Sequence, residues 1–144
     1  MIRTFGRRAL PVVAAVFVAG CLVQVFLAGL GVFDDPERFV THAGFGYLLG
    51  YFTLAMLVLA LLAREPRRIV GLTILVLAQF ALQSVFVAVR VEYPAIAALH
   101  PVNGFLILVV GFVIARQSWA ARRDPAPADA VAVESVTAAA TGVG

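Results

Sequence analysis

FVTHAGFGYLLGYFTLAMLVLALLA, residues 39–63, decides the fold. It runs 25 residues without Asp, Glu, Arg or Lys, and a helix needs about 20 apolar residues to cross the hydrocarbon of a bilayer. Three further stretches of the same kind surround it, residues 9–33, 69–89 and 94–115. The composition agrees: of 144 residues 62% are hydrophobic and 13% charged, with mean hydropathy +1.01. A soluble domain of this length cannot hide that much apolar surface. Backbone groups in lipid find no water, so each stretch must satisfy its own hydrogen bonds as a helix. The connections are short, so neighbours run antiparallel. The expected fold class is all-α, a bundle of four transmembrane helices in up-down-up-down order.

Charge orients the bundle. All 11 basic residues are arginine. Arg3, Arg7 and Arg8 precede the first helix, Arg64, Arg67 and Arg68 fill the second connection, and Arg116, Arg122 and Arg123 close the fourth helix. Only Arg38 and Arg90 fall on the other side, near Asp34, Asp35, Glu37 and Glu92. Basic residues gather on the cytoplasmic face, so both termini are expected there, in a multi-pass protein of a bacterial inner (plasma) membrane. The net charge of +3 follows from this topology, so nucleic acid is not an expected partner; the lipid bilayer is. From Asp124 the tail, residues 124–144, is poor in large apolar residues and reads as a disordered cytoplasmic segment outside the membrane domain, residues 1–123.

Punctuation within the chain is sparse. Pro36 favours Asp35 over Thr41 as cap of the second helix. Pro101 should kink or restart the fourth. Cys21 is the only cysteine, which excludes an internal disulfide. "VAGC", residues 18–21, is similar to a lipoprotein cleavage site, and Arg7–Arg8 to a twin-arginine signal. The apolar run continues for twelve residues past Cys21, which argues against both.

The two halves repeat. Gln24 lies 18 residues before His42, and Gln83 lies 17 before His100. Each histidine is followed four residues later by a glycine, Gly46 or Gly104, and then by an aromatic, Tyr47 or Phe105. The pattern predicts a duplicated helix pair related by an axis along the membrane normal. The only two histidines then share one side and one depth.

Imidazole inside a hydrocarbon span is costly and functional by default. In such a bundle helices two and four are diagonal, about 11–14 Å apart when neighbours are about 8–10 Å apart. That gap is wide for a small metal ion and suits a flat macrocycle with iron ligated by His42 and His100. Gly46 and Gly104, one turn deeper on the same faces, would leave bare backbone for a porphyrin edge. Arg38 and Arg90 would pair with propionates. Gln24, Gln83 and Asn103 would fix the histidine tautomers, while Gln79 ties helices together. Each feature alone has a plainer reading: small residues and amides pack membrane helices, and arginines snorkel. Zinc or copper lacks a full ligand set; nucleophilic catalysis has no support, since Cys21 has no basic neighbour in sequence, and no phosphate loop or nucleotide fingerprint is present.

The segments "QVFLAGLGVF", "HAGFGYLLG" and "LHPVNGFLIL" resemble a family of small four-helix bacterial membrane proteins, actinobacterial in type and of unknown function, over about residues 9–116. More distantly, matched histidines at the helix ends of a duplicated pair resemble haem A synthase and b-type membrane cytochromes. Those families usually carry more ligand histidines; two here allow one six-coordinate haem. The resemblance and the residues together lead to the expectation of one haem b between His42 and His100 near the outer face, serving electron transfer or redox or haem sensing. A quinone or a redox partner protein would complete the path. The alternative is a cofactor-free scaffold or accessory subunit whose histidines are structural. A small transporter is weaker, because no acid lies within a span to couple ions.

Overall fold

The structure, a computed structural model, describes residues 1–123; the tail from Asp124 read as disordered lies outside the described residues. Five helices follow one another: α1 Ile2–Phe33, α2 Arg38–Ala63, α3 Arg67–Ala88, the single turn α4 Pro94–Ala97 and α5 Leu99–Arg123. Four spans are long and apolar enough to cross a membrane, with α4 and α5 forming the last. Large apolar side chains such as Val16, Phe26, Leu54, Val85 and Phe112 point outward. Only hydrocarbon makes such a surface tolerable. The chain is a multi-pass membrane protein.

α1 and α3 each pack against both α2 and α5, while α1 and α3, like α2 and α5, face each other across the diagonals of the square. The inward positions recur every three or four residues: Gly6, Leu10, Ala14, Phe17 and Cys21 on α1, and Leu49, Thr53, Met56, Ala60 and Ala63 on α2. Asn103, Ile107, Ile114 and Ser118 continue the pattern on α5. Phe17 closes one diagonal against Phe80 with ring centroids 6.3 Å apart. Thr53 and Thr73, both fully buried, return their hydroxyls to the Gly50 and Val70 carbonyls at 2.8 Å. These two hydroxyls are thereby satisfied within their own helices.

Two ends result. The arginine-rich end joins the start of α1, the α2–α3 turn and the end of α5. There Gly6 lies directly on the α2 backbone: a Cβ on it would sit 2.8 Å from the Ala63 nitrogen and 2.9 Å from the Leu59 carbonyl oxygen. The Arg7 guanidinium donates to the Ala121 carbonyl at 2.9 Å, one of the last-turn carbonyls that α5 itself cannot satisfy. This bond explains why α1 begins at Ile2, seven residues before the apolar run: the extra turns have a docking partner. Glu65, in the turn, is held above the usual carboxylate range by burial, against the opposing pull of Arg7 and Arg3.

The α2–α3 turn is a Schellman motif. The Glu65 nitrogen bonds the Ala60 carbonyl at 3.0 Å and the Arg64 nitrogen the Leu61 carbonyl at 3.1 Å, and Pro66 follows. Its left-handed residue, normally glycine, is Arg64 with φ 54° and ψ 47°. Arg64→Gly is expected to raise stability by about 1 kcal/mol through relief of this strain, seen as a higher unfolding temperature in detergent.

At the other end the cap of α2 is Glu37, without a side-chain cap bond; Asp35, expected in that role, instead closes the preceding turn, its carboxylate accepting the Glu37 N–H at 2.9 Å. The break in the fourth span lies at Ala98, one turn before Pro101, which is carried in the first turn of α5. A proline ring collides with the carbonyl four residues earlier. Here that residue is Ala97, the last of α4.

Candidate functional site

The histidine end is built from the repeat. Gln24 and Gln83 lie in the last third of α1 and α3, His42 and His100 in the first turns of α2 and α5. Antiparallel packing therefore brings each glutamine level with the histidine that follows it. The Gln24 amide nitrogen donates to the His42 carbonyl at 2.8 Å and stands 3.3 Å from His42 Nε2. His42 Nδ1 lies 3.1 Å from the Gln24 carbonyl. An amide N–H can only donate and a carbonyl can only accept. These contacts are mutually consistent for one arrangement, a neutral ring with its proton on Nδ1 and its lone pair on Nε2. Flipping the amide would set its oxygen against the His42 carbonyl, so the orientation follows from the network.

The second half repeats the placement with one change. The Gln83 amide nitrogen stands over Gly104, 3.3 Å from where a Cβ would be, as the Gln24 amide stands over Gly46 at 2.9 Å. Gln83 Oε1, however, accepts from Asn103 at 3.0 Å, and Asn103 also donates to the Gln79 carbonyl at 2.8 Å. Asn103 is the third residue after His100; the matching residue after His42 is Phe45. The substitution diverts the second glutamine from its histidine. Separately, His100 Nδ1, whose counterpart His42 Nδ1 is held by the Gln24 backbone carbonyl, is buried without a hydrogen-bond partner, as are Gln24 Oε1 and Gln79 Oε1. Three of the four buried side-chain polar atoms without a partner among the described residues thus gather at this end, where each orphan in hydrocarbon is costly.

Across the second diagonal the two imidazoles meet. Their centroids are 6.2 Å apart and their planes inclined at 59°, with Phe39 edge-on to His42 at 6.1 Å. α2 and α5 make no direct packing contact along their length, yet the two rings reach across the diagonal to each other. Metal–imidazole bonds of about 2 Å on each side, plus about 1 Å from nitrogen to ring centre, would set the centroids about 6 Å apart. The centroid spacing alone is that of two imidazoles sharing one metal, so the gap expected to be too wide for a small ion is not, while His42 Nε2 is engaged by the Gln24 amide. The glycines fit a cofactor less directly: the bare backbone expected at Gly46 and Gly104 is covered by the two amides, which must swing aside for a macrocycle to enter.

The remaining expected residues sit at the rim. Arg38 pairs with Asp34 at 3.3 Å, both side chains more than half exposed, a contact of little energy. Arg90 donates to the Val87 carbonyl at 3.0 Å at the end of α3. Neither arginine touches a histidine. Asn103 serves Gln79 and Gln83 and not a histidine nitrogen, and Gln79, read as a tie between helices, receives it on its backbone. Reading the sequence missed the close approach at Gly6; a glycine on the face of Leu10 and Ala14 was the available signal.

A family of unknown function (DUF6220) matches residues 24–89. The match opens on Gln24, takes in His42 and Gly46 and ends after Gln83, so it covers the first glutamine–histidine pair and the second glutamine. Comparison with curated proteins and with solved structures found no match.

Proposed function

We propose that the histidine end holds one haem b, ligated by His42 and His100, and that the protein serves electron transfer or redox or haem sensing. The reading rests on one observation: two imidazoles, 6.2 Å apart, at equivalent positions of a repeated helix pair. A haem so ligated supplies one-electron chemistry at its iron. The chain's own residues would do the rest. The Gln24 carbonyl would hold the His42 proton on Nδ1, and Nε2 would ligate once the Gln24 amide turns away from it. Gly46 and Gly104 offer backbone without side chains once the amides turn away. Arg38 and Arg90 stand at the rim, where carboxylates of a cofactor would lie. Placed near one face, such a centre would need a quinone or a redox partner protein on that side. The nine arginines of the opposite end favour both termini in the cytoplasm, as expected in a bacterial inner membrane.

A second reading has its own observation. Gln24 occupies both His42 nitrogens and the His42 carbonyl, as it would in a cofactor-free scaffold with structural histidines. Absorption spectra of the purified protein, made with ample haem and recorded oxidised and reduced, separate the two. The haem reading expects a Soret band with a low-spin spectrum, a loss of that spectrum in His42→Ala or His100→Ala, and no band in the double variant. No band in the parent protein, or a band that survives both substitutions, would sink it.

A further inference from the structure

We infer that a groove between α1 and α5 at the arginine-rich end is a binding site for an anionic phospholipid, with the lipid phosphate on Arg116. The groove is open and about 550 Å³ in volume. Its inner part is lined by Pro11, Ala15, Phe112 and Ala115, and its mouth by Arg116 and Trp119. Apolar side chains thus line the depth that an acyl chain occupies, and a cation stands where a headgroup begins. Arg116 lies seven residues before the end of α5, about 10 Å by helical rise, and it is exposed without an ion pair among the described residues. Trp119, one turn nearer the end and half-exposed, is of the type that settles at the membrane interface. The Arg122 guanidinium stacks on its ring at 5.3 Å, which adds a second cation beside the mouth.

Charge complementarity selects the lipid class. The end carries Arg3, Arg7, Arg8, Arg64, Arg67, Arg68, Arg116, Arg122 and Arg123, and Glu65 is the only acid there among the described residues. A basic mouth over an apolar cleft between helices recognises an anionic headgroup joined to its chains, not either part alone. The narrowness of the cleft comes from small residues: Ala15 and Ala115 face it from the two helices, and Pro11 lacks the bulk to fill it.

Trp119 is the only tryptophan, so the site carries its own reporter. The whole protein is reconstituted in nanodiscs of phosphatidylcholine doped with chain-brominated phosphatidylglycerol or, at the same fraction, chain-brominated phosphatidylcholine. Quenching of Trp119 should be stronger with the anionic lipid. Arg116→Gln should reduce that preference about fivefold, as loss of one arginine at a membrane surface implies. Ala15→Phe, which fills the cleft from an exposed position and leaves every charge in place, should abolish it. Arg68→Gln, an equal loss of charge on α3, which does not line the groove, should leave it unchanged. Equal quenching by the two lipids, an equal effect of Arg68→Gln, or displacement of the lipid by free glycerol phosphate would each overturn the proposal.

Discussion

Gly6→Val is expected to destabilise the bundle by at least about 2 kcal/mol, the upper range for forcing volume into a packed interface. The reason is what the new atoms would meet. A Cβ at residue 6 falls 2.8 Å from the Ala63 nitrogen and 2.9 Å from the Leu59 oxygen, and neither is the movable end of a side chain. α1 and α2 must separate along their shared seam or α1 must fray at its start. Fraying also releases the bond from Arg7 to Ala121. The gain in helix propensity on replacing glycine, at most about 1 kcal/mol, does not offset this. Gly71→Val is the matched control, since a Cβ there meets nothing within 4 Å. Thermal unfolding in detergent, followed by circular dichroism, should show a clear fall for residue 6 and little change for residue 71. Equal midpoints would refute the close approach.

Gly46→Val is the second large effect. A Cβ at this position would stand 2.9 Å from the Gln24 amide nitrogen and drive it away. The amide then loses its bond to the His42 carbonyl and its contact with Nε2. Polar interhelical contacts in membranes average about 0.6 kcal/mol each, and stranded polar groups in hydrocarbon add to the cost, so a loss of about 1–2 kcal/mol is expected. Gly44→Val, two residues away in open space, should be silent. Gly104→Val should be milder, because the Gln83 amide stands back at 3.3 Å and Asn103 keeps its oxygen engaged. The same variant bears on the proposed cofactor. A haem that uses the bare backbone at residue 46 would be lost from Gly46→Val even in molecules that remain folded. A Gly46→Val protein as stable as its parent would show that the amide does not need this space.

The four spans were legible because hydrocarbon imposes a length and forbids charge, and residues 9–33, 39–63, 69–89 and 94–115 obey both. What lay beyond the apolar runs was less so. The start of α1 at Ile2 depends on Arg7 finding a carbonyl 114 residues away, which no local pattern records. Pro101 announced a break, but its place was set by the carbonyl the ring would strike, not by the proline itself. At the histidine end the matched spacings of Gln24–His42 and Gln83–His100 placed all four residues at one level. The exchange of Phe45 for Asn103 between the repeats was visible as letters. Its result, a second glutamine turned from its histidine, depends on where α3 and α5 meet.

The contact at Gly6 also has a mechanical meaning. It fixes α1 to α2 backbone on backbone at one end, whereas at the other the same two helices are joined through side chains, the Gln24 amide on the His42 carbonyl and the His42 ring on the Gln24 carbonyl. Such a pair is a clamp with a stiff pivot and releasable jaws. From Ala63 to His42 is 21 residues of α2, an arm of about 32 Å at the helical rise. A rotation of only about 5° at the pivot therefore carries the His42 ring about 3 Å, the thickness of an aromatic plate, by the same arithmetic. Freeing that motion means breaking the amide contacts together with the bond from His42 Nδ1 to the Gln24 carbonyl, and parting Leu49 from Gly20 and Phe39 from Gly31.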